Sequence, residues 1–153
     1  MGLGIEEIPN NIFDNISELT HLYLSWNRIS FLPSGIFDNL ANLVHLDLRG
    51  SGIQEVSEGL FDELVYLERL ELNDNNLEVI PDSLFKHLRG LKEINLSNNK
   101  ISVLPGKLFQ PLIHLERLYL YFNPIPEDIA MGDYYDRETV EEAIEKLIKV
   151  FNQ

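Results

Sequence analysis

Cysteine is absent from the 153 residues, which excludes disulfides, thiolate zinc sites, iron–sulfur clusters and a cysteine nucleophile. Basic residues are scarce: 12 Lys and Arg stand against 25 Asp and Glu, leaving a formal net charge of −13. That balance argues against nucleic acid as a partner, because phosphate backbones are held mainly by clustered Lys and Arg. No apolar run reaches the length of a membrane span, so no membrane role is expected. The opening residues, Met1-Gly2-Leu3-Gly4-Ile5-Glu6, carry neither a secretory leader nor a myristoylation pattern. Together with the missing cysteines this favours a cytoplasmic location over secretion, unless a leader has been removed. What is present, 44% hydrophobic and 24% charged residues, suits one folded domain and not a disordered chain.

The apolar residues repeat. Leu19, Leu43, Leu67, Leu91 and Leu115 recur at a period of 24, followed in register by Leu22, Leu46, Leu70, Ile94 and Leu118, then by Leu24, Leu48, Leu72, Leu96 and Leu120. Asn27, Asn75, Asn99 and Asn123 share one column in which Ser51 is the exception, and Phe37, Phe61, Phe85 and Phe109 share another. Apolar and polar residues alternate in His21-Leu22-Tyr23-Leu24-Ser25, as a half-buried strand requires. Pro33, Pro81 and Pro105 block continuation of the chain as strand, so the second half of each repeat is expected to be one turn or a short 3₁₀ segment. A phenylalanine once per repeat is best read as a core spine, not a cofactor box. Asparagine in the shared column can satisfy buried backbone groups in a ladder. Ser51 is too short to replace it, and Gly50 and Gly52 flank it, so the turn at 48–53 is expected to be a weak joint.

The pattern L-x-x-L-x-L-x-x-N-x-I/L, in five registered copies, resembles the leucine-rich repeat family over residues 5–125. The 24-residue form with L-P-x-x-x-F looks like that of extracellular receptors, matrix proteoglycans and variable lymphocyte receptors. The resemblance implies an α/β solenoid: a leucine-rich repeat horseshoe with a parallel concave β-sheet and an irregular or 3₁₀ convex side. One domain over 1–153 is expected, with an N-terminal cap and partial repeat at 1–16, five repeats at 17–126 and a C-terminal cap at 127–153. Relatives of the extracellular type commonly carry disulfides in their caps, and this chain departs from them there. An engineered joining of receptor-like repeats to cysteine-free caps fits the same sequence.

A repeat array needs polar terminal caps to close its apolar ends. Val140, Ala143, Ile144, Leu147, Ile148 and Phe151 form one apolar stripe at helical spacing, which predicts a capping helix at about 137–151. Its start is marked either by Asp136 or by a capping box of Thr139 with Glu142. Early glutamates and late lysines suit the helix dipole, with i,i+4 pairs expected at Glu142–Lys146 and Glu145–Lys149. The caps hold much of the net charge, −5 over 127–153 and −3 over 1–16, where it favours solubility.

In-register stacking would align the outward residues in columns: His21, His45, Arg69, Glu93, Arg117; Tyr23, Asp47, Glu71, Asn95, Tyr119; Ser25, Arg49, Asn73, Ser97, Tyr121; and Trp26, Gly50, Asp74, Asn98, Phe122. Tyr, Trp and Arg supply most interface hot spots, so the candidate partner-binding residues are His21, Tyr23, Trp26, His45, Asp47, Arg49, Arg69, Glu71, Glu93, Asn95, Arg117, Tyr119, Tyr121 and Phe122. Against this, Trp26 and Phe122 would equally serve to cover the solenoid's ends, and the alternating charges would pair across strands and neutralise one another. His21 and His45, with Asp47 near them, fall short of a zinc site because two histidines on an open face lack a third fixed ligand, and His87 and His114 are assigned no role. No phosphate-binding glycine loop, H-E-x-x-H or nucleophile elbow occurs, and Glu71 and Glu93 on an open sheet beside Arg are not poised as acid and base. No enzyme activity, cofactor or metal is therefore expected. Asn15-Ile16-Ser17 and Asn95-Leu96-Ser97 match the N-glycosylation pattern, and a glycan on Asn95 would obstruct the outward face.

The expected function is a non-catalytic module that binds a partner protein through the concave sheet. A scaffold shaped for stability without a natural ligand is one alternative, and self-assembly through an edge or the aromatic end is another. A monomer is the expected state, with a homodimer as the variant.

Overall fold

The computed structural model describes residues 2–151. Five strands, β1 (His21–Tyr23), β2 (His45–Asp47), β3 (Arg69–Glu71), β4 (Glu93–Asn95) and β5 (Arg117–Tyr119), form one parallel sheet in chain order. The partners are offset by one repeat, His21 opposite His45, Leu46 opposite Leu70, Asn95 opposite Tyr119, so equivalent residues lie side by side. This is the solenoid expected from the repeat. Each strand is short because only its central Leu or Ile turns inward before the chain bends away.

Leucines of the three repeating columns fill the interior, and all from Leu43 onward in those columns are buried. Phe13, Phe37 and Phe61 stack at ring separations of 6.2 and 6.1 Å, and Phe85 lies 6.2 Å from Phe109, giving the spine inside the convex turns. Those turns are built from i to i−3 bonds, such as Leu40 N–H to Phe37 C=O; the last coil tightens into a 3₁₀ helix at Gly106–Phe109.

The asparagine ladder holds successive coils together. Asn99 donates to Leu96 C=O in its own coil and to Leu72 C=O in the preceding one, while its Oδ1 accepts from Leu77 N–H. Asn75 and Asn123 repeat the arrangement. Ser51 departs from the sequence expectation in one respect: its Oγ does reach back, donating to Leu24 C=O at 2.9 Å. What serine cannot supply is the amide oxygen, so Ile29 N–H lacks the acceptor that Ile53, Leu77 and Ile101 find in their neighbours.

After the last repeat come a short helix, α1 (Glu127–Ala130), and a longer one, α2 (Arg137–Phe151). Asp136 is the cap of α2: its Oδ1 accepts from Thr139 N–H at 2.9 Å, and Thr139 Oγ1 accepts from Asp136 N–H in return. The Thr139 N–H first, and then the Thr139 hydroxyl, donate to the exposed Asp136 carboxyl and hold it below the usual aspartate value. An i,i+4 ion pair forms at Arg137–Glu141, 2.7 Å. The helix buries Val140, Ala143 and Leu147 against the final coil. It comes so close to the 3₁₀ turn that a β-carbon on Gly106 would lie 2.7 Å from Ile144 C=O, and only glycine fits. Tyr134, itself buried, lies antiparallel to β5, where its C=O accepts Leu118 N–H at 3.0 Å; its hydroxyl donates to Ile129 C=O. Among the described residues no helix is long and apolar enough to cross a membrane.

Candidate functional site

The sheet has one face on the leucine core, and its other face carries the outward columns. The acidic members of those columns are not free. Asp47, Glu71 and Glu93 are 2%, 3% and 8% exposed, because neighbouring guanidinium groups lie across them. Arg49 pairs with Asp47 at 3.2 Å, and Arg69 Nε donates to Glu71 at 2.7 Å. Across strands, Arg69 reaches Glu93 at 3.3 Å and Arg117 reaches Glu93 at 3.0 Å. Burial alone would lower the Arg69 value, but the bond to Glu71 and the charges of Glu71 and Glu93 outweigh it and raise it. The expected neutralising network is therefore present, with Glu93 shared between two arginines. Asp47, Glu71 and Glu93 reach a visitor only through the arginines covering them. Asn95, half-buried on the outward face, is engaged within its own strand, its Oδ1 accepting from Ser97 N–H and Oγ–H.

The fourth column has a backbone property that its side chains conceal. Trp26, Asp74, Asn98 and Phe122 have φ of 58°, 58°, 52° and 57°, and Gly50 has 63°, so each strand leaves the sheet through one left-handed residue. Glycine, Asn and Asp tolerate this region; bulky aromatics do so at a cost of roughly 1–2 kcal/mol. Trp26 and Phe122 are nonetheless 54% and 71% exposed, so neither is sealed under a cap. The indole of Trp26 lies over Gly50, where a β-carbon would collide with the ring. Asp74 accepts from Asn98 at 2.6 Å between these two aromatics.

Two aromatic groups result. At the first, Tyr23, His21 and His45 touch: the Tyr23 and His45 rings are 5.1 Å apart edge-on, and the two imidazoles 6.0 Å. Burial, then the Arg69 guanidinium, hold His45 below the ordinary histidine value against the opposing pull of Glu71 and Asp47. Among the described residues no three His, Asp or Glu side chains converge as a metal site. At the second group, Tyr119 lies 6.3 Å from Tyr121 and 5.7 Å from Tyr135. The Tyr121 and Tyr135 hydroxyls are 2.8 Å apart, and Tyr121 also donates to Asp133. These bonds, led by Tyr135, push the Tyr121 value up; burial does the same for Tyr119. Tyr135 and Asp133 escaped the sequence reading because they belong to the cap and reach the sheet only by the fold. The neighbouring pair Tyr134-Tyr135, one residue on, just before the Asp136 cap, was the available signal.

A chain with this repeat, this register and this ladder is a leucine-rich repeat solenoid with an open sheet. The model of the family described as leucine rich repeat matches residues 4–53, 17–77 and 65–125, and the chain belongs to that family. A search of curated proteins finds no significant match. Among solved structures, the leucine-rich repeat domain of APL1B is 28% identical, with a TM-score of 0.76 over 82% of this chain and 37% of that one. A chain of the Toll–Spätzle complex of Drosophila is 30% identical, TM-score 0.72, over 80% of this chain and 16% of that one. A chain of the TLR13–ssRNA13 complex is 33% identical, TM-score 0.75, over 95% of this chain and 19% of that one. The chain thus spans little more than a third, or less, of each of these three structures. Binding scaffolds are typical of this family and fold.

Proposed function

We propose that the chain binds a partner protein through the open face of its sheet, with the exposed aromatics Tyr23, Trp26 and Phe122 and the half-buried Tyr119 as anchors and Arg49, Arg69 and Arg117 between them. The observation that carries this reading is the pair of exposed aromatics held at positive φ, Trp26 and Phe122, one at each end of the face. Every coil turns through a left-handed residue there, and an exposed aromatic at a position that Gly, Asp or Asn fills at less cost in the other coils points to a role outside the interior. The anchors stand on strand ends braced by the asparagine ladder, so little order is lost on association. The charge of −13 favours protein over nucleic acid as the partner. The complexes of the related structures include a protein in one case and an RNA in another, which is consistent with a binding face whose chemistry changes from chain to chain.

The test compares three forms of the intact chain in capture from a proteome, followed by titration of whatever protein the parent retains. The forms are the parent, Trp26→Ala with Tyr119→Ala and Phe122→Ala, and a flank control, Val79→Ala with Val103→Ala, at exposed residues away from the sheet face. Loss of at least a hundredfold in affinity is expected for the face variant and none for the control. Equal binding by parent and face variant would overturn the reading.

A further inference from the structure

In a parallel sheet successive residues bond alternately to either neighbour. Leu24 N–H donates to Asp47 C=O, so the even residues of β1 face β2 and the backbone groups of His21 and Tyr23 face away from the sheet. No described residue pairs with them. Leu19, Leu22 and Leu24 beside them are only half-buried, whereas their counterparts in the other coils are sealed. Asn27 shows the same gap: its amide donates to Leu24 C=O in its own coil, while Asn75, Asn99 and Asn123 also reach a carbonyl one coil earlier.

An open edge is usually guarded by lysine, proline or inward charge. β1 has no such guard. Residues 19–27 contain no Asp, Glu, Lys or Arg, whereas the corresponding stretch of every later repeat contains at least one. For a chain of net charge −13, two copies meet with least repulsion where like charges are missing, and that place coincides with the unpaired edge.

We propose that β1 pairs antiparallel with β1 of a second copy of this chain, forming a closed two-fold dimer. A two-fold axis normal to the sheet sets Leu22 opposite the second copy's Leu22. His21 then exchanges backbone hydrogen bonds with the second copy's Tyr23, and the half-buried leucines of both first coils close on each other. Growth stops at two, because the far edge is occupied: Leu118 N–H is taken by Tyr134 and the last coil is covered by α2. The open faces of both copies stay clear, so the dimer doubles the binding surface without using it.

Sedimentation equilibrium of the intact chain tests this. The mass should rise from 17.7 kDa toward twice that value with concentration, and not beyond. Tyr23→Pro removes an N–H that serves no bond within the chain and should weaken association at least tenfold, with unchanged circular dichroism. Tyr23→Ala keeps that donor and should associate within a few-fold of the parent. If the proline variant misfolds, His21→Lys decides: it places like charges across the edge and should weaken association, with recovery at high salt. A parent that stays monomeric to millimolar concentration overturns the proposal, as does growth past two copies. So does a folded Tyr23→Pro variant that associates like the parent, or a dimer lost on Phe122→Ala and kept on Tyr23→Pro.

Discussion

The first and last coils carry the same leucine columns, yet one is sealed and the other is not. Leu118 is fully buried; Leu22, its counterpart in β1, is half-buried. The difference lies in what each coil stacks on. At the C-terminal end Tyr134 takes the outward Leu118 N–H of β5, Gly106 admits α2, and Val140, Ala143 and Leu147 cover the leucines. At the N-terminal end residues 5–16 copy only the second half of a repeat. Ile5 bonds to Asn27 and Arg28, and Phe13 extends the spine, but nothing described lies beside β1. A cap must close both the apolar face and the hydrogen-bonding edge, and the partial coil closes only part of the first.

The sharpest way to break this comparison is to make the same truncation at both ends. Leu118→Ala should cost about 2–5 kcal/mol, while Leu22→Ala should cost roughly 1 kcal/mol, because a half-exposed site leaves little cavity. Urea unfolding of the two variants side by side checks this, and equal losses would mean that β1 is sealed in solution. A smaller contrast separates the ladder's complete and incomplete rungs. Asn99→Ala strands buried groups in two coils and should cost about 2–3 kcal/mol; Ser51→Ala, which loses one hydroxyl bond, should cost about 1 kcal/mol. Hydrogen exchange should also find Ile29 N–H less protected than Leu77 N–H.

Gly106→Ala sharpens the account of the sealed end. Forcing a methyl group against Ile144 and Ile148 should cost about 1–3 kcal/mol and speed exchange throughout α2, leaving β1–β3 unchanged. The smallest effect belongs to His45. Its folded value lies below 6.5, chiefly through burial and then through Arg69, while the unfolded chain takes up the proton near 6.5. Between those two values the unfolded state binds more protons, so stability falls as pH drops below about 6.5 and levels off once the folded value is passed. An NMR titration of the His45 ring should find its midpoint below 6.5, and a midpoint above it would remove the basis for this dependence.

The solenoid was legible because period and register are written in the chain: a 24-residue spacing of leucines can only stack with equivalent residues side by side, and the paired strands do so. The helix of the last coil was legible from its stripe, and the ambiguity over its start was settled for Asp136 by geometry. The outward columns were legible as positions but not as surfaces. Asp47, Glu71 and Glu93 occupy outward positions, yet the lengths of Arg49, Arg69 and Arg117 let those side chains fold over them, and alternation along a strand carries no such information. The left-handed column was half visible, since Gly50, Asp74 and Asn98 are the types that tolerate it, while Trp26 and Phe122 hid it.

Fold, strand register, spine and ladder were thus determined by the sequence itself, because each is a local pattern repeated at a fixed interval and the interval dictates the contacts. The tertiary structure alone decided which outward groups are free, that Tyr135 and Asp133 join Tyr121, that Gly106 admits a helix, and that one edge of the sheet is closed and the other open. Those outcomes depend on side-chain reach and on segments distant in the chain meeting in space, and no period in the sequence encodes either.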